Sequence, residues 1–439
     1  MSGAVTGTTS DAPATERLPS LWRNRAFNLL WTGQCLSDTG SAMADLALPL
    51  LVFQLTGSPE QAGFVGTVGF AVTMACRLPA GVLVDRFDRR RLMIVCDVAR
   101  VVVFTLLACA IEAGRAHLVV ILAVVAASAA ATALFSTAEH AAVRSLVRPD
   151  QIVTAVARNE ARAYGTSLAG PPLGGLLFGL GRALPFFGNA VTFLLSLVAV
   201  SCIRRPLQQP RPPAAAAGAA SASSAASSAV SSAAPAGTGG GGAGRQGLRF
   251  VLGNPFLRAL LVIAAPLNMA FTGMIFSMTI SLRRSGLSPA LVGVVGMVVA
   301  VGGLLGAVTA PALQRRLRLP TLIMVICWSA AALMALSVLL SASIATAVPL
   351  AAAVFLGPTA NAALFGYQAA VTPDHLQGRV VSLLLLAATS AAALAPALAG
   401  VLLAHVAGRT AMLVFPLLVA VAALVATFGS GIRSMSRHP

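Results

Sequence analysis

Two aspartates within an apolar stretch are the residues of this sequence whose chemistry is most unusual. Asp38 and Asp45 lie seven positions apart, which places them on one face of a helix, and Gln34 lies one turn before Asp38. An aspartate at the centre of a membrane helix costs about 2.5–3.5 kcal/mol, so it normally faces a cavity or a partner. We therefore expect Asp38 and Asp45 either to exchange a proton or contact a cationic molecule, or to hold helices together through hydrogen bonds. Gln34 is expected to line the same cavity wall as Asp38.

The elements that position these side chains are predicted from the composition. The 439 residues are 57% hydrophobic and 10% charged, whereas a soluble domain carries roughly 25% charge. A membrane-spanning helix needs roughly 20 apolar residues, and twelve segments qualify. They cover about 27–54, 61–83, 92–113, 117–138, 163–181, 185–203, 257–281, 290–312, 320–341, 347–367, 380–404 and 410–430. The six cysteines fall in apolar segments without the spacing of metal ligands.

Four arginines crowd the short turn between the second and third segments, within residues 81–92. Short arginine-rich loops remain in the cytoplasm. Its residues resemble the Gly-x-x-x-Asp-Arg-x-Gly-Arg-Arg signature of the major facilitator superfamily, with Asp88 in place of the usual glycine. The matching residues are Gly81, Asp85, Arg86, Arg89 and Arg90. The alternative is an ordinary cytoplasmic loop. The resemblance implies twelve helices in two pseudo-symmetric six-helix bundles that rock around a central substrate site.

A second element lies in the fifth segment, at Gly170, Pro171, Gly174 and Gly175. Prolines and glycines at this density bend a helix and let a neighbouring helix approach closely. The run resembles the Gly-Pro-x-x-Gly-Gly element of exporters in the superfamily, although Thr166 stands where the upstream glycine is expected. This resemblance implies a bend that shapes the outer seal. The alternative is a packing kink with no bearing on direction.

The two halves of the chain repeat. Ser58-Pro59-x-x-x-Gly63 starts the second segment, and Ser288-Pro289-x-x-x-Gly293 starts the eighth. Between the halves lies a tract of Ala, Ser, Gly and Pro, which lacks the bulky apolar groups that form a core. The predicted divisions are a cytoplasmic tail (1–22), a first six-helix bundle (23–205), a flexible cytoplasmic linker (206–250), a second bundle (251–432) and a final cytoplasmic tail (433–439).

Further charged residues suggest a gate at the cytoplasmic surface. Asp97 and Arg100 are helical neighbours at i and i+3 and are expected to pair. Together with Arg89, Arg90 and Glu139 they are expected to form a charge network that closes the inner side. The alternative for each is a solvated charge worth under about 1 kcal/mol. Arg77 is expected to extend to the surface, and residues 150–162 are predicted to form a short helix along that surface.

The second half carries few charges, so its cavity wall is expected to be mostly apolar. Asn268 with Thr272, and Asn361 with Gln368, are spaced to share helix faces and either line the cavity or bond between helices. Such a cavity suits a bulky lipophilic molecule. The sequence contains no Gly-x-x-x-x-Gly-Lys phosphate-binding loop, which argues against ATP as the energy source. All thirty basic residues are arginine, and most of them fall in predicted cytoplasmic loops. This distribution indicates that the positive charge sets the orientation of the chain in the membrane and does not bind nucleic acid.

We therefore expect a secondary transporter that exports hydrophobic small molecules by proton antiport, with no cofactor and with the proton gradient as energy source. It is expected to be a monomeric multi-pass protein of the cell membrane, with both termini in the cytoplasm and no nucleic-acid partner. The alternatives are an importer or facilitator of a small metabolite, and a membrane scaffold or sensor that does not transport. An enzyme is not expected, because the sequence offers no nucleophile–base pair or metal-ligand constellation.

Overall fold

The chain folds into helices joined by short turns. The computed structural model describes residues 21–203, 207, 242–316, 319–341 and 343–428. The helices are α1 (Arg25–Thr56), α2 (Pro59–Arg86), α3 (Arg89–Glu112), α4 (Leu118–Leu146), α5 (Ile152–Leu180), α6 (Leu184–Ser201), α7 (Gly242–Gly253), α8 (Pro255–Arg284), α9 (Pro289–Arg316), α10 (Leu319–Leu339), α11 (Ala347–Phe355), α12 (Gly357–Val371), α13 (Asp374–His405) and α14 (Gly408–Phe428).

Within the described residues, ten helical spans are long and apolar enough to cross a membrane. Helix α2 is an eleventh if its two parts, bent by 49° just before Pro79, count as one span. Helices α11 and α12 together form one span, which is interrupted at Leu356 ahead of Pro358. Helix α5 has 29 residues, which is long enough, but it is less apolar than the others. Each of the twelve predicted segments therefore corresponds to a helix, and the predicted fold class is confirmed.

The helices form two bundles with the same internal packing. In the first bundle α1 packs on α5 and α6, α2 packs on α4, and α3 packs on α4 and α6. In the second bundle α8 packs on α13 and α14, α9 packs on α11 and α12, and α10 packs on α11 and α14. The bundles meet along two equivalent pairs, α2 with α13 and α5 with α9. A duplicated six-helix unit explains both the repeated sequence landmarks and this repeated packing.

Helix starts are fixed by capping residues that are visible in the sequence. The Ser58 side chain accepts a hydrogen bond from the Gln61 backbone N–H, and Pro59 follows at the first helical position, where its missing N–H has no cost. Asp88 caps α3 in the same way, by accepting from the Arg91 backbone N–H at 2.8 Å. An aspartate in place of glycine in the basic turn therefore stabilises the start of α3.

Helix α5 differs from the prediction. Residues 150–162 were expected to form a separate surface helix, but Ile152 to Leu180 is one continuous helix. The expectation was wrong because it assigned Arg162 to the surface as a charged residue. Arg162 instead finds two carboxylate partners inside the bundle, so its charge does not have to leave it.

The first two turns of α5 are held against α1 by aromatic contacts. The Arg158 guanidinium lies 3.9 Å from the ring centre of Trp22 and 4.9 Å from that of Trp31. The Trp31 indole N–H donates to the Arg158 carbonyl oxygen at 3.2 Å. Cation–π contacts of this kind contribute roughly 0.5–2 kcal/mol each. Because Arg162 lies one turn further along α5, these contacts also fix its position relative to α1.

Most of the predicted tails and linker lie outside the described residues, namely 1–20, 204–206, 208–241 and 429–439. The end of the predicted linker is helical, because Gly242–Gly253 forms α7, which packs on α8 and α13. The divisions at 22, 205, 250 and 432 otherwise remain predictions.

Candidate functional site

A cavity of about 1050 Å³ lies between the two bundles. It is lined by parts of α1, α2, α4, α5, α6, α8, α9 and α13 and by single residues of α3 and α11, and most of the lining is apolar. Its polar lining residues are Ser41, Asp45, Thr73, Arg77, Ser128, Thr132, Tyr164, Ser167, Asn189, Thr272, Thr279, Ser382 and Thr389. A cavity of this size and composition is suited to bind a large apolar molecule with a few directed polar contacts.

The close backbone contacts between the bundles lie at one end of the molecule. We call the end at which α1 begins and α2 ends the basic face, since it carries Arg86, Arg89, Arg90 and Arg91. A Cβ atom added to Gly81 on α2 or to Gly378 on α13, both near the basic face, would meet nothing within 4 Å. At the opposite face the same two helices touch through their backbones. The closest contacts between the bundles thus lie at the face opposite the basic face, and the cavity lining extends toward the basic face as far as Arg77 and Ser382.

Two Pro–Gly contacts, which we call the seams, close the opposite face. In the first seam a Cβ on Gly63 of α2 would overlap the carbonyl of Pro396 on α13, and one on Gly400 would meet the Pro59 carbonyl. In the second seam a Cβ on Gly293 of α9 would overlap the carbonyl of Pro171 on α5. Glycine is required at these positions because any side chain would separate the helices.

The Gly170–Gly175 element takes part in this closure. Gly175 packs against the Pro289 carbonyl of α9, and Gly174 packs on α1, where an added Cβ would lie 2.6 Å from the Met43 carbonyl oxygen. Gly170 packs on Ala42 of α1. The element thus joins α5 to its own bundle and to the other bundle. Its counterpart in the duplicated half, Pro396 with Gly400, was not identified from the sequence.

We expect Gly175→Leu to open the seam between α5 and α9. Overpacking costs about 1–3 kcal/mol, which changes a two-state equilibrium roughly 5- to 150-fold. The readout is the yield of a disulfide between cysteines placed at Thr67 and Ala397, where the Ala397 N–H donates across the other seam at 3.0 Å to the Thr67 hydroxyl. The parent for this test has its six native cysteines replaced.

The matched control is Gly179→Leu, one turn along the same helix, where an added Cβ meets nothing within 4 Å. The disulfide yield should fall several-fold in Gly175→Leu and stay unchanged in Gly179→Leu. Equal yields in both variants would contradict a closing role for the seam.

Three charged side chains from three helices of the first bundle meet, and none of them is among the residues that line the cavity. The Arg162 Nε of α5 lies 3.1 Å from Asp38 Oδ2 of α1, and another guanidinium nitrogen of Arg162 donates to Glu139 Oε1 of α4 at 2.7 Å. Arg162 and Glu139 are buried, with 10% and 7% of their side chains exposed, whereas Asp38 is 37% exposed. We call these three residues the triad. Asp38 is its accessible member.

The triad holds two acids and one base. With both carboxyl groups ionised its net charge is −1, and with one of them protonated it is neutral. An uncompensated charge in a buried position is costly, whereas a neutral paired group is tolerated. The arrangement can therefore exchange one proton, with Arg162 remaining paired to a carboxylate in either state.

Asp97 and Arg100 form a second ion pair in the first bundle. Both are buried, and the guanidinium of Arg100 donates to Asp97. The Ser196 hydroxyl donates to Asp97 at 2.9 Å, and the Gln34 amide donates to Ser196 at 3.2 Å. The Arg100 guanidinium also lies between the rings of Phe135 and Phe193. This pair is neutral and fully surrounded, so its geometry fits a structural role. Gln34 belongs to it and does not line the cavity.

The arginines of the basic turn do not join these acids. Arg89 donates to the carbonyl oxygens of Ala141 and Leu207, and Arg90 donates to those of Val200 and Ser201. They therefore tie the start of α3 to α4 and to the end of α6. Asp85 and Arg86 are exposed at the end of α2 and form no ion pair with another described residue. The expected network is thus divided into three groups.

The cavity contains the second aspartate of α1 and an arginine that sequence reasoning placed elsewhere. Asp45 and Arg77 are both exposed to the cavity, and they are the charged residues among the described residues that line it. Arg77 was expected to extend to the surface, but it lines the cavity. The cavity explains this position, because a guanidinium that is exposed to the cavity does not have to extend to the end of the helix to reach water.

The polar residues predicted in the second half have different positions. Thr272 lines the cavity. Asn268 and Asn361 are exposed but do not line the cavity, and the Asn268 side chain donates to the Ala264 carbonyl oxygen. Gln368 is buried and donates to the Thr372 hydroxyl at 3.3 Å, near the end of α12. Thr272 is therefore the member of this set that the structure brings to the cavity.

Comparison with known proteins agrees with this architecture. The multidrug efflux pump Tap of Mycobacterium tuberculosis (strain ATCC 25618 / H37Rv) is 33% identical over 192 residues, which are 42% of this chain and 45% of the pump. The match thus spans less than half the length of that relative. An uncharacterized transporter of Bacillus subtilis (strain 168), YfiS, is 29% identical over 189 residues, which are 42% of this chain and 44% of that protein.

A solved structure extends the likeness to nearly the whole chain. A bacterial homolog of the human lysosomal transporter Spinster, inward-facing and unoccupied, has a TM-score of 0.71 at 15% identity, covering 95% of this chain and 99% of that one. This likeness concerns the fold. The family model described as Major Facilitator Superfamily matches residues 30–365. Because that match covers most of the chain and the same fold recurs in a solved transporter, the chain belongs to the Major Facilitator Superfamily of transporters.

Proposed function

We propose that this chain is a proton-coupled exporter of bulky lipophilic small molecules, such as an antibiotic or a secondary metabolite. It works as a monomer in the cell membrane, with both termini in the cytoplasm. The concentration of arginines at the basic face supports this orientation. With the basic face in the cytoplasm, the cavity is open inward and the seams close the outside. The chain is then in the state that loads substrate from the cytoplasm or the inner leaflet.

The observation that carries the proposal is the position of the triad. Asp38 lies on the same face of α1 as Ser41 and Asp45, which line the cavity, and two turns nearer to the basic face than Asp45. Its carboxylate forms an ion pair with Arg162, which also donates a hydrogen bond to Glu139. When Asp38 takes up a proton it loses its negative charge, and Arg162 then remains paired with Glu139 alone. The net charge of the triad, one helical turn from the cavity residue Ser41, then differs between the protonated and the deprotonated state.

This difference in charge supplies a route for coupling. A proton taken up from outside neutralises the triad and permits the bundles to close around an empty cavity and reopen inward. Substrate binding in the inward-open cavity then favours release of the proton to the cytoplasm. The proton gradient provides the energy, and the lack of a nucleotide-binding loop in the sequence supports that assignment.

The class of substrate is supported by the cavity and by the relative. A volume of about 1050 Å³ with mostly apolar walls suits a large lipophilic molecule better than a sugar or a phosphate ester. The partial match to a protein named as a multidrug efflux pump agrees with export. The lipid bilayer is the surrounding partner, and the exposed leucines and valines on the outer sides of the helices fit it.

The direction of transport is tested in everted membrane vesicles, which expose the cytoplasmic side. With the vesicle interior acidified, a lipophilic dye such as Hoechst 33342 should accumulate inside, and a protonophore should collapse the accumulation. Vesicles without the protein are the control. Gradient-driven accumulation in right-side-out vesicles instead would identify an importer. Absence of flux in both preparations, with the protein folded and inserted, would rule out transport of this class.

A further inference from the structure

The substrate cavity contains one acid and one base, held at different depths. Asp45 and Arg77 line the cavity, and neither forms an ion pair or a hydrogen bond with another described residue. Both side chains are exposed to the cavity. A charged group in an otherwise apolar wall is costly unless a ligand, water or a counter-charge meets it. Both charges are thus available to a ligand.

The two charges lie too far apart along the helices to be mutual partners. At 1.5 Å per residue, Asp45 is roughly 30 Å from the basic-face end of α1 and Arg77 is roughly 14 Å from that of α2. Asp45 is therefore deep in the cavity and Arg77 nearer to its mouth. An ion pair requires contact within about 4 Å. The lining between them is mostly apolar, with Thr73 and Phe70 on the intervening turns of α2.

We propose that the preferred substrates are amphoteric lipophilic molecules, with a cationic amine and an acidic group at opposite ends of an apolar body. This rests on the proposed function, in that it takes the cavity as the substrate site. The amine meets the Asp45 carboxylate at the deep end, the body fills the apolar middle, and the acidic group meets the Arg77 guanidinium. Counted along the helices, the two positions differ in depth by roughly 16 Å, and the reach of the two side chains shortens the distance that the substrate charges have to span.

A plain lipophilic cation fits this arrangement less well. It gains the contact with Asp45 but passes the guanidinium of Arg77 on its way in, and it leaves that guanidinium without a partner. A lipophilic anion has the reverse difficulty at Asp45. A charge-assisted hydrogen bond is worth roughly a ten- to hundredfold change in binding. An amphoteric molecule forms both contacts and leaves the cavity neutral.

The test uses three forms of one aromatic scaffold. Norfloxacin carries an amine and a carboxylate, its ethyl ester keeps only the amine, and its N-acetyl derivative keeps only the carboxylate. Binding of each form to the purified full-length protein is measured by quenching of the fluorescence of the quinolone. The parent protein should bind norfloxacin at least about tenfold more tightly than either derivative.

The variants assign each charge to its partner. Asp45→Asn should remove the preference over the N-acetyl form, and Arg77→Gln should remove the preference over the ethyl ester. Arg77→Lys should retain most of that preference, because the positive charge remains. Arg86→Gln is the matched control, since Arg86 is an exposed arginine of the same helix that does not line the cavity.

The outcomes separate this inference from the proposed function. Similar affinities for all three forms, equal losses for all forms in both variants, or no binding of any form would overturn the inference. Gradient-driven accumulation of Hoechst 33342 would leave the export function standing in each of those cases. Conversely, a preference for norfloxacin that depends on Asp45 and Arg77, in a protein without gradient-driven flux, would support the ligand class and overturn proton-coupled export.

Discussion

We expect the replacement of Asp38 with Asn to abolish proton-driven accumulation of substrate while leaving the protein folded. Asn has nearly the same size as Asp and still offers Arg162 a hydrogen-bond acceptor, but it cannot exchange a proton. One elementary charge moved across 100 mV carries about 2.3 kcal/mol, which corresponds to a concentration ratio of roughly 50-fold, so accumulation should fall by that factor for each coupled charge lost. The measurement is dye accumulation in everted vesicles with an imposed proton gradient.

The control for Asp38→Asn is an exchange assay without a gradient. Labelled substrate inside proteoliposomes exchanges for unlabelled substrate outside, and this exchange needs no proton. Exchange should continue in Asp38→Asn because the cavity residues are intact. Glu112→Gln, which removes an exposed acid at the end of α3, should behave as the parent in both assays. Retained gradient-driven accumulation in Asp38→Asn would remove Asp38 from the coupling step.

The second large effect is expected on stability, for Arg162→Met. This change removes the base of the triad and leaves Asp38 and Glu139 without the guanidinium that joins them. Removing one partner of a buried ion pair typically costs about 3–5 kcal/mol, because the remaining charge is uncompensated. The variant should therefore unfold at a clearly lower temperature than the parent at pH 8, as followed by thermal denaturation in detergent.

Two further observations identify the cause of that loss. The loss should be smaller at pH 5 than at pH 8, because a proton taken up by Asp38, the more exposed of the two acids, removes its repulsion with Glu139. Adding Glu139→Gln to Arg162→Met should recover much of the lost stability, since a single acid then remains and Asp38 is partly exposed. Two results would show that the three residues do not act as one charge unit. One is an Arg162→Met variant as stable as the parent at pH 8, and the other is a further fall in unfolding temperature when Glu139→Gln is added.

Much of the fold is predictable from local patterns. The twelve apolar segments follow from the length that a membrane span requires. Ser58-Pro59 and Ser288-Pro289 mark equivalent helix starts, because a capping serine followed by proline is typical of the first helical turn. The order of these landmarks predicts two copies of one unit, and the repeated packing of the two bundles agrees with it.

The triad was only partly predictable. Asp38 stands out in an apolar helix, and its cost in hydrocarbon points to a partner. That partner, Arg162, lies in a stretch of alternating apolar and charged residues, which reads equally well as a surface helix. The distinction depends on whether a carboxylate is present at the same depth on a neighbouring helix. Glu139 meets that condition, but it is brought there only because α4 and α5 both lie against α1.

Other contacts between the bundles could not be read from the sequence for a related reason. Pro396 and Gly400 resemble any proline and glycine of an apolar helix, and their role arises from facing Gly63 and Pro59 across the bundles. Arg77 was placed at the surface because a cation in an apolar segment normally extends to water. The cavity brings water to it instead, and cavities form between elements that are distant in the sequence.

The measurement that tests the proposed mechanism most directly is proton release on substrate binding. Purified protein in weakly buffered detergent solution, with a pH indicator, is mixed with a saturating lipophilic substrate such as Hoechst 33342. The triad predicts release of about one proton per molecule for the parent, since substrate binding and the protonated triad exclude each other, and none for Asp38→Asn although substrate still binds. Binding without proton release by the parent, or the same release from Asp38→Asn, would contradict coupling through the triad.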